Sequence, residues 1–470
     1  MSWHWLFLVE ALWVLGISTW ITLEKRAPQS TLAWIFGLAF LPVVGIGLYL
    51  LVGPRRLARQ RERYNRALAG LSDYGVVRPP RIQIPHDELR HIRLAAGAGE
   101  APLMPASELD LLRDAEATVA AMEHAIDAAR HHVHLEFYIW EPDALGERLR
   151  DRLSAAAARG VEIRVLLDAV GSARLRDAFF APLRRAGGEV AWFNPPRLGI
   201  TGLQLLNFRT HRKMLIADGR VAFTGGRNIS ARYSSMRQDR PPWRDTDLRL
   251  VGPAAAGLQA VFLENWHYTT GRPPCGDPYF PRVSIDRVAA WVQVVDSGPD
   301  RAFAPIHELV VSAISAADER AWIVNPYIVP DEALATALVT AAHRGVDVRI
   351  IVPSRGDSRF VQAAMRSFFD ELTASGIRFF EYLPGMHHGK TLLVDDELAV
   401  VGTSNLDARS FRLNFEVVVA MYGARAARML ASDFDRDLSE CREIPPGRDA
   451  RIGWPRRLAE AGARLFAPIL

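Results

Sequence analysis

Two apolar runs open the chain. Trp5 to Leu23 is broken by one charge, Glu10, and Leu32 to Val52 carries none. As a helix rising 1.5 Å per residue, the second run of 21 residues would reach about 31 Å, against a hydrocarbon core of about 30 Å. The pattern predicts a two-helix transmembrane hairpin over residues 1–55. A cleaved signal peptide would need a basic amino-terminal region and an A-x-A-type site, and the first run has neither. Glu10 inside a span is costly unless it is protonated, paired or near an interface, so it is either a functional residue or a snorkelling one. Arg55, Arg56, Arg59, Arg61, Arg63 and Arg66 follow the hairpin with only Glu62 against them, whereas Lys25 and Arg26 face Glu24 in its loop. That asymmetry predicts a cytoplasmic body. The same arginines would hold the body against anionic headgroups.

Beyond residue 100 the pattern changes to α/β and repeats. A-A-A-R-G-V-E-I-R-V-L-L from Ala156 returns as A-A-H-R-G-V-D-V-R-I-I-V from Ala341. In each copy an Ala- and Leu-rich helical stretch (Leu145 to Arg159; Ala333 to Arg344) stops at a glycine, and a β-branched run follows. This reads as helix, left-handed cap, then buried parallel strand. Strands are also expected upstream, over Val133 to Trp140 and Trp322 to Val329, each with a Tyr-Ile pair (Tyr138-Ile139; Tyr327-Ile328). Downstream, His211, Lys213, Asp218, Gly225 and Asn228 stand 177 positions before His388, Lys390, Asp395, Gly402 and Asn405 without a gap. Proline-rich stretches at Arg78 to Pro85 and Gly271 to Arg282 mark the boundaries. The expected units are a basic juxtamembrane linker over 56–100, a first domain over 101–275, a second over 285–445 and a tail over 446–470. In the tail Trp454, Leu458, Ala461 and Leu465 share one face, with Arg456, Arg457, Glu460 and Arg464 elsewhere. Such a short basic amphipathic helix either docks on lipid or packs on the body.

Composition adds bounds. At 470 residues and 49% hydrophobic the chain can fill more than one core, and its formal charge of +4 with a pI near 9.2 suits an anionic partner, nucleic acid or lipid. Only Cys275 and Cys441 are present, which rules out a disulfide framework or a cysteine-rich zinc pattern.

The chemistry lies in a motif written twice, H-x-K-x-x-x-x-D, as His211, Lys213 and Asp218 and as His388, Lys390 and Asp395. Strand alternation would put each His and Lys on one face, with Asp218-Gly219 and Asp395-Asp396 turning into the next strand. Gly225-Gly226-Arg227-Asn228 and Gly402-Thr403-Ser404-Asn405 follow, small residues that allow close backbone approach and end in an amide donor. Together these suit a phosphate. A lone strand histidine is more often structural, but the duplication reverses that. One His per motif leaves too few donors for zinc, so no metal or other cofactor is expected. No G-x-S-x-G stands in the chain for a serine hydrolase.

The paired motifs with trailing G-x-x-N resemble the phospholipase D superfamily. More narrowly, the K-R-A-P-Q-S-T-L-A-W-I-F-G hairpin, T-H-R-K, W-R-D-T, V-G-T-S-N-L-D-A-R-S-F-R-L-N-F-E-V and the terminal A-P-I-L look like bacterial cardiolipin synthases, nearly end to end. Thr210 departs from the asparagine that this family would place there. His387 is set aside as the catalytic copy by its spacing to Lys390. The resemblance implies two tandem phospholipase D-like α/β/α sandwich domains related by pseudo-twofold symmetry. It implies a phosphatidyltransferase that joins two phosphatidylglycerol molecules into cardiolipin and glycerol through a phosphohistidine. His211 would be the nucleophile and His388 the acid and base, with Lys213, Lys390, Asn228 and Asn405 on the phosphoryl oxygens. Glu416 and Asp245 would orient the far ring nitrogens, Asp247 being the rival to Asp245, while Asp218 and Asp395 anchor hairpins. The implied setting is a bacterial inner membrane, multi-pass, rich in anionic lipid. Two rivals within the class remain, a hydrolytic phospholipase D and a transferase using phosphatidylethanolamine or another partner. A nuclease, the rival of another class, would want a basic aromatic groove that no stretch supplies.

Overall fold

The computed structural model describes residues 3–23, 28–41, 90–98, 101–196, 207–234, 241–272, 277–284, 286–301 and 303–470. The arginines from Arg55 to Arg66, the end of the second apolar run, the stretch from Arg78 to Pro85, Cys275 and the Glu10 side chain lie outside the described residues.

α1 (Trp3–Leu23) and α2 (Pro28–Phe40) form the expected pair, packed through Ile21 and Leu38 with Ile17, Trp34 and Ile35 beside them. The described helices are less than the two spans expected. α1 carries Glu10, and α2 has 13 residues, about 20 Å of helix. Among the described residues no helix is long and apolar enough to cross a membrane.

The repeat builds two sheets. The first half supplies β1 (Met104–Ala106), β2 (Glu108–Leu112), β3 (His132–Phe137), β4 (Glu162–Asp168), β5 (Glu189–Phe193), β6 (Met214–Ala217), β7 (Val221–Gly225) and β8 (Asp247–Val251). The second supplies β9 (Ala290–Ser297), β10 (Arg320–Val324), β11 (Asp347–Pro353), β12 (Arg378–Tyr382), β13 (Thr391–Val394), β14 (Leu398–Gly402), β15 (Glu416–Tyr422) and β16 (Cys441–Glu443). Their orders are β2-β8-β7-β6-β3-β4-β5 and β1-β9-β15-β14-β13-β10-β11-β12-β16. In each, three strands run parallel (β3, β4, β5; β10, β11, β12) and the remainder pair antiparallel.

The helix-glycine-strand units form as the sequence predicts. Helix Ala144–Ala158 starts on Asp143, whose carboxylate accepts the Gly146 N–H, and Gly160 turns out of it at φ +92° into β4. Helix Glu332–His343 starts likewise on Asp331 and leaves through Gly345 at φ +91° into β11. The upstream Tyr-Ile pairs are one position out of register, because Trp140 and Ile328 occupy matching bridges, to Ile229 and Leu406.

Each half has its own outer apolar core, and a third cluster joins them, drawing Met214, Ile216 and Leu248 from one half and Leu393, Val401 and Val417 from the other. The halves therefore form one body. Two segments depart from the expected units: β1 pairs with β9 of the second sheet, and helix Arg90–Ala98, placed in the linker, buries Ala95 in the second half's core. In the tail, helix Trp454–Arg464 packs against helix Arg359–Arg366. It turns Glu460 and Ala463 inward and leaves Trp454, Leu458 and Leu465 at 75%, 64% and 80% exposure.

Candidate active site

His211 and His388 do not stand in strands. β6 begins at Met214 and β13 at Thr391, because the preceding backbone pairs across the two halves instead. The His211 N–H donates to Phe415 O at 2.9 Å and Phe415 N–H to Arg209 O at 2.9 Å. In the other copy His388 N–H donates to Arg244 O at 2.7 Å and Arg244 N–H to Met386 O at 2.9 Å. These two short parallel bridges bring both motifs to one seam.

The same crossing delivers the carboxylates. His211 Nδ1 lies 2.8 Å and 3.0 Å from the two Glu416 oxygens, and His388 Nδ1 lies 2.9 Å from Asp245 Oδ2. Each histidine is thus oriented by an acid from the opposite half. Glu416 is fixed by Thr403 Oγ1 at 2.6 Å and Asn414 Nδ2 at 3.3 Å, and Asp245 by the Thr246 N–H at 2.9 Å. Asp247 goes elsewhere, to Arg227 at 2.6 Å.

Gly226 makes room for one of these acids, and Gly402 for the strand that carries the other. A Cβ at Gly226 would stand 2.3 Å from Asp245 Oδ1 and 2.8 Å from His388 O, and one at Gly402 would stand 2.4 Å from Val417 O. Asn228 accepts the Ile139 N–H at 3.1 Å and donates to Tyr233 at 3.3 Å, and Asn405 Oδ1 is buried without a partner among the described residues. Lys213 and Lys390 are almost wholly buried, each donating to the carbonyl of its own motif histidine. Asp218 and Asp395, at φ +54° and +49°, accept from three consecutive backbone N–H groups each, residues 130–132 and 318–320. They tie the hairpins down and do not enter the pocket. His387 accepts the Gly389 N–H on Nδ1 at 3.2 Å and donates Nε2–H to Asp437 at 2.9 Å.

Electrostatics bind the four cationic positions into one cluster. Burial brings the His211 pKa down to about 4, with Glu416 opposing and Lys213 and Lys390 assisting. Burial also drives His388 well below its ordinary range, with Lys390, Lys213 and His211 adding to the effect. Lys390 is lowered to about 8 by burial, against the pull of Asp245 and Glu416, and burial drives Lys213 well below its ordinary range against the pull of Glu416. An anion arriving among them would restore the cationic forms.

Sequence reasoning missed the aromatic surround. Tyr138 lies 5.0 Å from the His211 ring, centroid to centroid, and Trp243 lies 5.4 Å and Tyr327 6.5 Å from His388. The Tyr233 hydroxyl lies 3.3 Å from His388 Nδ1. The two Tyr-Ile pairs and the Trp of W-R-D-T were the available signals. Among the described residues no group of three or more His, Cys, Asp or Glu side chains is arranged to hold a metal ion.

Comparison with known proteins agrees in kind. Residues 122–240 and 310–438 match the family model described as "Cardiolipin synthase, PLD-like domain", and residues 11–54 match "Phospholipase_D-nuclease N-terminal". The chain is 36% identical over 463 residues to a cardiolipin synthase of Geobacillus thermodenitrificans, spanning 97% of this chain and 92% of the relative. It is 37% identical to one of Alkalihalophilus pseudofirmus, spanning 99% and 94%. Among solved structures, the phosphatidylserine synthase of Haemophilus influenzae shares the fold at a TM-score of 0.62 and 14% identity, over 81% of this chain and all of the other.

Proposed function

Because this chain belongs to the cardiolipin synthases of the phospholipase D superfamily, and so is a phosphatidyltransferase, we propose that His211 and His388 carry a phosphatidyl group from one phosphatidylglycerol to another. The observation that carries the residue assignment is the crossed pairing of each histidine with a buried acid of the other half. With Nδ1–H donating to a carboxylate, Nε2 keeps the lone pair or carries the mobile proton.

In the first step His211 Nε2 attacks the phosphorus of phosphatidylglycerol, the bond to the headgroup glycerol breaks, and His388 Nε2–H protonates the departing oxygen. In the second, the terminal hydroxyl of another phosphatidylglycerol gives its proton to His388 as its oxygen bonds phosphorus and the P–N bond breaks. Cardiolipin leaves, and one phosphodiester has replaced another, so no nucleotide is consumed. Lys213, Lys390, Asn228 and Asn405 neutralise the non-bridging oxygens as the five-coordinate state forms.

The family and its amino-terminal match make this a membrane-associated protein. We read α1 and α2 as a hairpin inserted in the bilayer and the body as cytoplasmic. Supporting this, Trp5, Leu12, Leu15, Leu23, Leu32 and Phe40 are all more than half exposed on the pair, an apolar surface that water disfavours. Anchoring keeps acceptor lipid concentrated and water scarce, which favours transfer over hydrolysis.

The test is labelled phosphatidylglycerol incubated with the purified, detergent-solubilised protein and a chelator. Cardiolipin and free glycerol should appear together and vanish with His211→Ala. Phosphatidic acid alone would make the enzyme a hydrolase.

A further inference from the structure

The pseudo-twofold relation breaks next to the histidines. Where β4 ends, the chain turns tightly: Asp168 accepts the N–H groups of Val170 and Gly171 at 2.9 Å each and lies 3.4 Å from Arg209. Glu136, which takes the Thr210 hydroxyl, is buried beside it. Two buried carboxylates and Arg209 thus fill the turn beside His211. In the second half, Pro353 ends β11 where Asp168 ends β4, and the loop from Ser354 to Ser358 opens onto a cavity of about 1620 Å³.

Seven arginines and three carboxylates line that cavity. All three carboxylates are already engaged. Glu381 holds Arg366 at 3.2 Å and Arg442 at 2.8 Å, Glu443 holds Arg378 at 2.8 Å, and Asp357 accepts the Tyr327 hydroxyl. Among the described residues Arg355 and Arg359 have no carboxylate within ion-pair distance. Crowding of like charge shows at Arg366, whose pKa is lowered by burial, with Arg456 and Arg448 assisting against Glu381.

The cavity's inner wall is the outer wall of the active site. Trp243 lines it and also lies 5.4 Å from the His388 ring, and Asp357 lines it while bonding Tyr327, itself 6.5 Å from His388. Its rim includes Arg456, on the helix that leaves Trp454 and Leu458 exposed.

We propose that this cavity holds the phosphodiester of the acceptor lipid, with Arg355 and Arg359 as its cation pair, so that the acceptor's terminal hydroxyl reaches His388 while its tails lie over Trp454 and Leu458. This rests on the transferase reading above. It places the acceptor on the His388 side, where a proton must be taken, and the donor on the other. The hydroxyl proton passes to His388 Nε2 as the new P–O bond forms and the His211 P–N bond breaks, so the step balances without a further reactant. A neutral alcohol has no phosphate to place and would gain nothing from the cavity.

The experiment is a partition. Enzyme and labelled phosphatidylglycerol in mixed micelles are given excess ethanol, and the ratio of cardiolipin to phosphatidylethanol is read from the shared intermediate, independently of how much enzyme is folded. Arg355→Ala with Arg359→Ala should lower that ratio at least about tenfold, and Arg355→Lys with Arg359→Lys should recover part of it. An unchanged ratio would overturn the proposal. A second arm adds inorganic phosphate against a chloride control. Loss of cardiolipin in favour of phosphatidylethanol is expected in the parent and not in the double alanine variant. Phosphate binding that needs the arginines yet leaves the partition untouched would assign the cavity to a free ion and overturn the lipid assignment. Formation of neither product by the parent enzyme would overturn the transferase reading itself.

Discussion

Neither motif histidine finds its carboxylate in its own half, and the consequences are clearest at the level of single groups. As the proposed nucleophile, His211 must be neutral to attack, and burial holds its pKa at about 4, so the neutral form is already dominant at pH 5. In the proposed mechanism Lys390 must be charged to steady the phosphoryl oxygens, and that charge is lost as pH rises through about 8. A donor with a nitrophenoxide leaving group needs no proton from His388, which removes that ionisation from the profile. For that donor kcat/KM should rise through about pH 4 and fall by about pH 8 at the latest, as Lys213 and Lys390 lose their charge. An acid limb at the ordinary histidine value of 6.5 would contradict the burial argument. Much of this chemistry was legible in the sequence, because duplication marks His211, Lys213, His388 and Lys390 without any need of contacts. Tyr233 was not, since no residue in the other copy repeats it and its role depends on a contact 155 positions away.

Among elements, the seam between the halves decides the geometry. The sequence predicts strands through both histidines, but pairing of residues 210–211 with 415 and of 387–388 with 244 ends those strands early and spends the backbone on the other half. Long-range pairing of that kind leaves no periodic trace. The small residues after each motif were expected to make room for phosphate, whereas Gly226 makes room for Asp245 and Gly402 for the backbone of β15 at Val417. Gly226→Ala tests this. Its Cβ would collide with both Asp245 oxygens, at 2.3 Å and 2.8 Å, and displace the partner of His388. Activity should fall about 10- to 100-fold with secondary structure retained, the size of effect known for orienting partners. Activity within twofold of the parent would show that Asp245 does not position His388.

For the whole molecule, the two repeats have become one body. A continuous apolar cluster spans them, β1 crosses to the partner sheet, and Asp437 of the second half gathers Arg113, Arg244 and His387 at 2.8–3.0 Å. Asp437→Ala would leave Arg244 on Asp433 alone, at 2.6 Å, and His387 without its acceptor, in a site where the Arg244 and Asp437 side chains are under one-tenth exposed, at a cost of about 1–3 kcal/mol. Differential scanning calorimetry should show one transition lowered by several degrees. Two separated transitions, one unmoved, would mean that the halves melt independently. The tandem α/β plan was legible from the repeat of helix, glycine and strand. The crossing of β1 was not, because three residues ahead of β2 carry no signal of which sheet they join. The most direct test of the central claim is a rapid denaturing quench of the protein turning over labelled phosphatidylglycerol, followed by peptide mapping. Label on the peptide containing His211, absent from His211→Ala, is the predicted result, and label on the His388 peptide, or none during active turnover, would contradict it.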